Sequence, residues 1–293
     1  MFHTPILRQT LVDSVFNTPF GLQLQHTIRG VQAHEGEGTL DIRAIIDQLI
    51  PASNGLFPQY QQHDLCELFS WVIDYLHTDT AFTFTIKDHV QGPARKIWEE
   101  LSRIQDRKHS LMLGACQGVQ VCMIQCNHCN ENLYNVEPFT TLHVDVSDKE
   151  DNLCNLLLSG FIAENIPEWK CDKCAHVGGT KDTRIWKMPK VLVVCIKRFD
   201  NSLRKNKMGV DVSEHIKFEA GPAFMQPAME YKYKLMAIGN HFGSYGGGHY
   251  TSVVRGDDNA WVHYDDEHVE KIKDIEPVLQ KNQNAYVLFY EAF

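Results

Sequence analysis

The chain lacks any run of about 18 apolar residues, the length that a membrane-crossing helix needs. Its first residues, "MFHTPILRQTLVDS", lack the charged and then apolar pattern of a secretory signal, and no small-residue cleavage site follows. No internal repeat or low-complexity tract is present, which excludes solenoid architectures and flexible linkers between independent domains. Net positive charge is missing as well: 28 Lys plus Arg stand against 37 Asp plus Glu, a formal charge of −9. No basic patch is segregated along the chain, so a phosphate backbone would meet net repulsion and a positively charged protein or peptide is the better-matched partner. These absences lead us to expect a soluble intracellular protein, cytoplasmic and/or nuclear, with neither nucleic acid nor membrane among its partners.

What is there is ordinary globular material. The 293 residues are 43% hydrophobic and 22% charged, enough for one large domain, and we expect a single domain over 1–293. Nine cysteines, an odd number in a chain without a signal sequence, read as metal ligands or free thiols rather than as a disulfide framework.

The clearest helix is "QQHDLCELFSWVIDYLH", where Leu65, Leu68, Phe69, Val72, Ile73 and Leu76 recur on one face and Asp64, Glu67 and Asp74 fall on the other. A second is expected at "ARKIWEELSRIQ", with Ile97, Leu101 and Ile104 inward, and a third at "DNLCNLLLSGF", with Asp151 as its N-cap. From about Val119 the pattern changes to short runs rich in β-branched and aromatic residues: "VQVCMI", "TTLHVDV", "VLVVCIKRF", "YKLMAIG", "HYTSVVR", "WVHY" and "AYVLFY". A helical front and a β-rich back give an α+β fold class.

Two C-x-x-C pairs, Cys126 with Cys129 and Cys171 with Cys174, are separated by 41 residues. Each spacing lets a tight turn aim two sulfurs at one ion, and two such turns complete a tetrahedron of thiolates around a structural Zn²⁺. Four protein ligands would leave no open position, so that zinc would be non-catalytic. Reduced thiols in two turns are the alternative, and His128 and His176 lie close enough to replace a ligand.

"GSYGGGHYTSVVRGDDNAWVHYDD" sets His249 at the start of one strand and Asp265 at the end of the next, joined through "GDDN". A carboxylate on a neighbouring strand is what fixes the tautomer and orientation of a catalytic imidazole. Gly246, Gly247 and Gly248 would let backbone approach a substrate closely. Taken locally, His249 could equally be a solvated side chain, and Asp265 and Asp266 turn residues. "GGGH" lacks the lysine and hydroxyl of a phosphate-binding loop.

Read together and in order, these segments resemble the ubiquitin-specific protease family of cysteine deubiquitinases. "QQHDLCELFSWVIDYLH" is similar to the family's acidic helix, "CNHCNENLYNVEPFTTLHVDV" and "WKCDKCAHVGGTKDTRIWKMPKVLVVCIKRF" to its zinc-bearing fingers and the strand returning to the palm, and "GGGHYTSVVRGDDNAWVHYDDEHV" with "AYVLFYEAF" to its histidine box and closing strands. The resemblance implies a papain-like fold with a helical thumb over 1–115, zinc-ribbon fingers over 116–185 and a β-rich palm over 186–293. It implies hydrolysis of the (iso)peptide bond after the C-terminal glycine of ubiquitin, with ubiquitin or ubiquitinated proteins as partners, a monomeric enzyme and no catalytic cofactor. His249 would be the general base, Asp265 its orienting partner and Asp266 a second carboxylate. Gln62, Asp64, Glu67, Gly247, Gly248 and Tyr250 would line the substrate channel.

The nucleophile is the departure. The family's cysteine opens a central helix whose end "MFHTPILRQTLV" resembles, so the cysteine is expected within about three helical turns upstream of Met1. The family's oxyanion-binding asparagine would lie in the same segment. Cys66 is the only stand-in near the expected cleft, and it sits on the wrong element. The alternative function is an inactive ubiquitin-binding pseudoprotease. A zinc-ribbon nucleic-acid module has only the cysteine pairs in its favour.

Overall fold

Pro5 opens the first helix and Asp64 caps the acidic one, its carboxylate accepting from the Glu67 backbone N–H; such local signals fix the helix starts. The structure, a computed structural model, describes residues 3–33, 42–146, 148–149, 151–219, 221, 223–225 and 230–293. Met1 and Phe2 of "MFHTPILRQTLV" lie outside them.

Helices Pro5–Asp13, Pro19–Ala33, Arg43–Ala52, Leu65–Thr80, Gly92–Ile104 and Leu111–Cys116 make the front of the chain. All but Gly92–Ile104 pack on an eight-stranded sheet whose main path runs His268–Ile272, Trp261–Asp265, Gly247–Arg255, Tyr231–Ser244, Ala285–Ala292, Val191–Lys197 and Leu142–Asp145; His215–Phe218 pairs with Tyr231–Ser244. All of these pairings are antiparallel except that of Leu142–Asp145 with Val191–Lys197. The mixture is the expected α+β class.

Strand periodicity divides the interior in two. Val191, Val193 and Cys195 point to the helical thumb, where Leu7, Leu11, Ile73 and Leu76 are fully buried. Leu192, Val194 and Ile196 point to the opposite layer, with Leu153, Leu156, Val210 and Ile216. A strand buried on both faces has no polar side to show, which is why "VLVVCI" reads as an unbroken apolar run.

A separate four-stranded sheet, Asn132–Phe139, Gly118–Cys126, Val177–Lys187 and Glu164–Lys170, projects as the fingers. Ile97 and Leu101 of the fifth helix pack at its base against Val119, Val121 and Trp186, and Trp98 meets Trp186 edge-on with ring centroids 5.2 Å apart. Segment 116–185 is not continuous in space: Leu142–Asp145 leaves the fingers for the large sheet, and helix Leu153–Ser159 packs beneath that sheet.

Two local expectations are corrected. Ile104, at the end of its helix, is 43% exposed, because the chain turns away from the core there. The cap of Leu153–Ser159 is Asn152, whose Oδ1 accepts from the Asn155 N–H at 2.9 Å; Asp151 instead accepts from the Asn155 side chain at 2.8 Å. Among the described residues no helix is long and apolar enough to cross a membrane.

Candidate active site and cysteine cluster

The turn through Gly256–Asn259 joins Gly247–Arg255 to Trp261–Asp265, pairing Ser252 with Tyr264 and Arg255 with Trp261. That register carries Asp265 back alongside His249, and His249 Nε2 lies 2.5 Å from Asp265 Oδ1. The hydrogen bond that the imidazole donates to the carboxylate raises the His249 pKa above its ordinary value, against the partial desolvation of the ring, and the charges of Asp265 and Asp266 act in the same direction. Among the described residues Nδ1 of His249 has no hydrogen-bond partner, which leaves it the free nitrogen of the pair. Asp266 follows with φ 50° in the turn, its carboxylate within 4.8 Å of the other two ligand-type atoms but not bonded to them. The His–Asp pair is therefore assembled, with Asp266 beside it.

A cleft of about 510 Å³ is lined by Gly247 and Tyr250, the residues that flank Gly248 and His249 on their strand, while His249 and Asp265 themselves are not among its lining residues. One wall is the start of the acidic helix, with Gln62, His63, Asp64, Cys66 and Glu67; the other is sheet and turn, with His143, Lys197, Phe199, His241, Tyr245, Gly246, Gly247 and Tyr250. Asp64 is doubly committed, capping its helix and accepting a hydrogen bond from the Tyr286 hydroxyl. Burial, and then the Asp64 charge, pushes Tyr250 up to about 12, so its phenol stays protonated. Glu67 is exposed on the same wall.

Gln62 does not stand free to meet a substrate: its side-chain amide donates to the Gly248 carbonyl and accepts from the Gly248 N–H, both at 2.7 Å. Gly248 tolerates no side chain, since a Cβ there would lie 2.2 Å from the Phe242 carbonyl oxygen. Sequence reasoning missed Lys197, His143, His241 and Tyr286. They come from strands whose alternation marked them only as sheet residues, and they give the cleft both signs of charge where acidic walls were expected.

Cys66 and Cys195 form a disulfide, which corrects the reading of all the cysteines as metal ligands or free thiols. The helical period turns Cys66 inward and the strand period turns Cys195 toward it, with Cα atoms 6.5 Å apart, inside the range a disulfide spans. Cys66 is thereby removed as a stand-in nucleophile. Burial pushes the Cys116 thiol up to about 12 and raises Cys122 and Cys154 as well, the opposite of an activated thiol.

In the fingers the turns Cys126–Cys129 and Cys171–Cys174 face each other. Cys126 Sγ lies 3.7 Å from Cys174 Sγ, Cys129 Sγ lies 3.7 Å from Cys171 Sγ, and all four sulfurs are within 4.8 Å of one another. Thiolates about 2.3 Å from a tetrahedral ion stand roughly 3.8 Å apart, so the donor set and spacing suit a Cys₄ ion. Backbone N–H groups of Cys129 and His128 lower the Cys126 pKa to about 6, while at Cys174, against a backbone hydrogen bond from His176, desolvation and the three neighbouring sulfurs raise the pKa to about 12. His128 and His176 stack outside the four sulfurs with centroids 3.5 Å apart rather than replacing one.

Comparison with known proteins agrees with this geometry. Residues 8–290 match the family described as ubiquitin carboxyl-terminal hydrolase. The chain belongs to that family. Among relatives, it is 37% identical over 149 residues to ubiquitin carboxyl-terminal hydrolase 10 of Arabidopsis thaliana, covering 45% of this chain and 15% of that protein. It is 28% identical over 276 residues to ubiquitin carboxyl-terminal hydrolase 4 of Candida glabrata, covering 81% of this chain and 30% of that one. The chain thus spans less than a third of the length of these relatives.

Among solved structures, a chain of the yeast SAGA DUB module carrying an Sgf73 mutant superposes with a TM-score of 0.76 at 21% identity, over 100% of this chain and 64% of that one. A chain of the SAGA Ubp8/Sgf11/Sus1/Sgf73 DUB module bound to ubiquitin aldehyde gives 0.75 at 19% identity, over 100% and 65%. At such identities the likeness shows the fold, and the fold is that of this hydrolase family.

Proposed function

We propose that the protein is a cysteine-type deubiquitinase that hydrolyses the (iso)peptide bond after the C-terminal glycine of ubiquitin. The observation that carries this reading is the His249–Asp265 pair at 2.5 Å, on a strand whose Gly247 and Tyr250 line the cleft between the acidic helix and the turn at Tyr245 and Gly246. In this reading Asp265 holds the imidazole by Nε2, and Nδ1 exchanges a proton with the attacking thiol and then the leaving amine. Asp266 adds negative charge that favours the imidazolium. Asp64, Glu67, Gly247 and Tyr250 hold the basic, flexible tail of ubiquitin in the cleft. The cysteine cluster takes a structural Zn²⁺ that stiffens the fingers against the body of ubiquitin.

The thiolate is assigned to a cysteine box preceding the first helix, because the cysteines within the described residues are bridged, clustered for metal or buried away from ionisation. We place the enzyme in the cytoplasm and/or nucleus. Its solved neighbours sit in multi-protein modules, so the monomer expected from the sequence gains nothing from them, and regulatory partner subunits fit this family member equally well.

The test is hydrolysis of a fluorogenic ubiquitin C-terminal amide by the protein carrying its upstream segment. Turnover that His249→Ala abolishes is expected, and absence of turnover in that form would overturn the reading. The disulfide that consumes Cys66 favours one second reading, a ubiquitin-binding pseudoprotease. It requires ubiquitin binding without turnover in every form of the protein.

A further inference from the structure

The strand that carries His249 is protected unequally on its two edges. Along one edge it pairs with Tyr231–Ser244 from Gly247 to Val254, Gly248 facing Gly243 and His249 facing Phe242. Along the other edge the strand Trp261–Asp265 covers only Ser252 to Arg255. Among the described residues no strand neighbours that second edge at Gly248, and a free edge there would leave the peptide before His249 unrestrained.

Gln62 occupies the gap. Its amide presents one donor and one acceptor in the antiparallel sense of a strand, taking the Gly248 carbonyl and the Gly248 N–H at 2.7 Å each from a position 186 residues away in sequence. The carbonyl it holds belongs to the peptide whose nitrogen is His249 N, so the clamp fixes the plane from which the imidazole departs toward Asp265. Gln62 comes from the turn before the acidic helix, an element anchored by the Asp64 cap and the Tyr286 hydroxyl, and so offers a rigid reference.

Resting on the deubiquitinase reading of His249, we propose that Gln62 is a positioning residue: it replaces a missing strand beside Gly248 and holds His249 in register with Asp265, rather than contacting substrate. Hydrogen bonds of this kind contribute about 0.7 kcal/mol each at the lower end of their usual range, so the two together set an effect on the order of tenfold in the population of the aligned pair.

The test uses nitrogen-15-labelled protein without ubiquitin. The wild type should show a low-field imidazole Nε2–H proton for His249 that Asp265→Asn removes. Gln62→Ala should speed exchange of that proton by about tenfold. Gln62→Glu, which keeps the acceptor and loses the donor, should fall between. Gln61→Ala and the His77 and His109 signals serve as controls for folding. Unchanged position and exchange in Gln62→Ala would overturn the proposal.

Ubiquitin titration separates the two readings. Gln62→Ala should bind ubiquitin within about twofold of wild type, whereas a substrate-contacting Gln62 would lose more than the roughly tenfold attached to its two hydrogen bonds. Absence of binding by the wild type would count against the deubiquitinase reading and leave the imidazole measurement to decide Gln62. In a form that turns over, Gln62→Ala should lower kcat with KM nearly unchanged.

Discussion

In the cysteine cluster each half-site is a single tight turn, and the two turns meet at the tip of a sheet that carries little else. The His249–Asp265 site is made differently: a histidine and a carboxylate from adjacent strands, a glutamine from a distant turn and a cleft walled by helix and sheet. The first arrangement has its ligand geometry written into two spacings of two residues, and an ion can close it. The second depends on strand register and on how the thumb seats against the palm. Local closure predicts a site that fails completely when its ion is removed, while distributed assembly predicts one that degrades in steps.

Metal removal should separate the regions most sharply. Structural zinc sites of this type contribute about 10 kcal/mol or more of folding free energy. A strong chelator, or Cys171→Ser, should make the strands between Gly118 and Lys187 sensitive to limited proteolysis, while the low-field His249 proton survives. Loss of both together would break the comparison, because the palm would then lean on the fingers.

Next in size is the seam between thumb and palm. The Cys66–Cys195 bridge spans a sequence separation of 129 residues, and a loop of that order is worth about 4–5 kcal/mol on a chain-entropy estimate. The paired Cys66→Ser and Cys195→Ser variant should melt well below the oxidised protein and match it after both are reduced. Identical melting of the variant and the oxidised protein would mean that the bridge constrains nothing.

Acid should act on the buried histidines and on His249 with opposite sign. Burial lowers the pKa of His77 and His109 in the thumb below 6.5, so in mild acid the unfolded chain takes protons that these folded side chains resist. His249 is raised, so its pairing contributes below 6.5 and is lost as pH rises through its folded pKa. Burial likewise lowers His143 and His241, so the melting temperature should fall as pH drops below about 6.5. Imidazole titration should put His77 and His109 below 6.5 and His249 above it.

The smallest effect on stability belongs to Asp265→Asn. It should bring the His249 midpoint down toward the ordinary histidine value while leaving the melting temperature nearly unchanged, since the pair is solvent-screened. A large loss of stability would show that Asp265 supports the fold as well as the imidazole.

Most of the fold was legible where a period was clean. Phe69, Val72, Ile73 and Leu76 line the buried face of the acidic helix as their spacing requires, and the hairpin carrying His249 and Asp265 follows from two alternating runs around "GDDN". Ile104 and the Asp151 cap were misread because helix ends are fixed by neighbouring turns, which a periodicity does not contain. Arg198 is fully buried on an otherwise apolar stretch, and only the structure explains it: its guanidinium donates to the carbonyls of Ala285, Asn206, Met208 and Asn282, four acceptors from segments remote in sequence or in a loop.

By itself the sequence determined the α+β class, the two cysteine turns, the strand pairing that offers Asp265 to His249, and the glycines where backbone must come close. These are short-range matters of period, spacing and turn chemistry. Tertiary structure alone decided that Cys66 bonds Cys195, that Gln62 serves Gly248, that Tyr286 reaches Asp64 and that Lys197 and His143 share the cleft with Glu67. Each of these joins elements brought together only when the thumb helices bury one face of the large sheet, and the apolar burial that drives that docking is non-directional, carrying no local sign of which polar groups will meet.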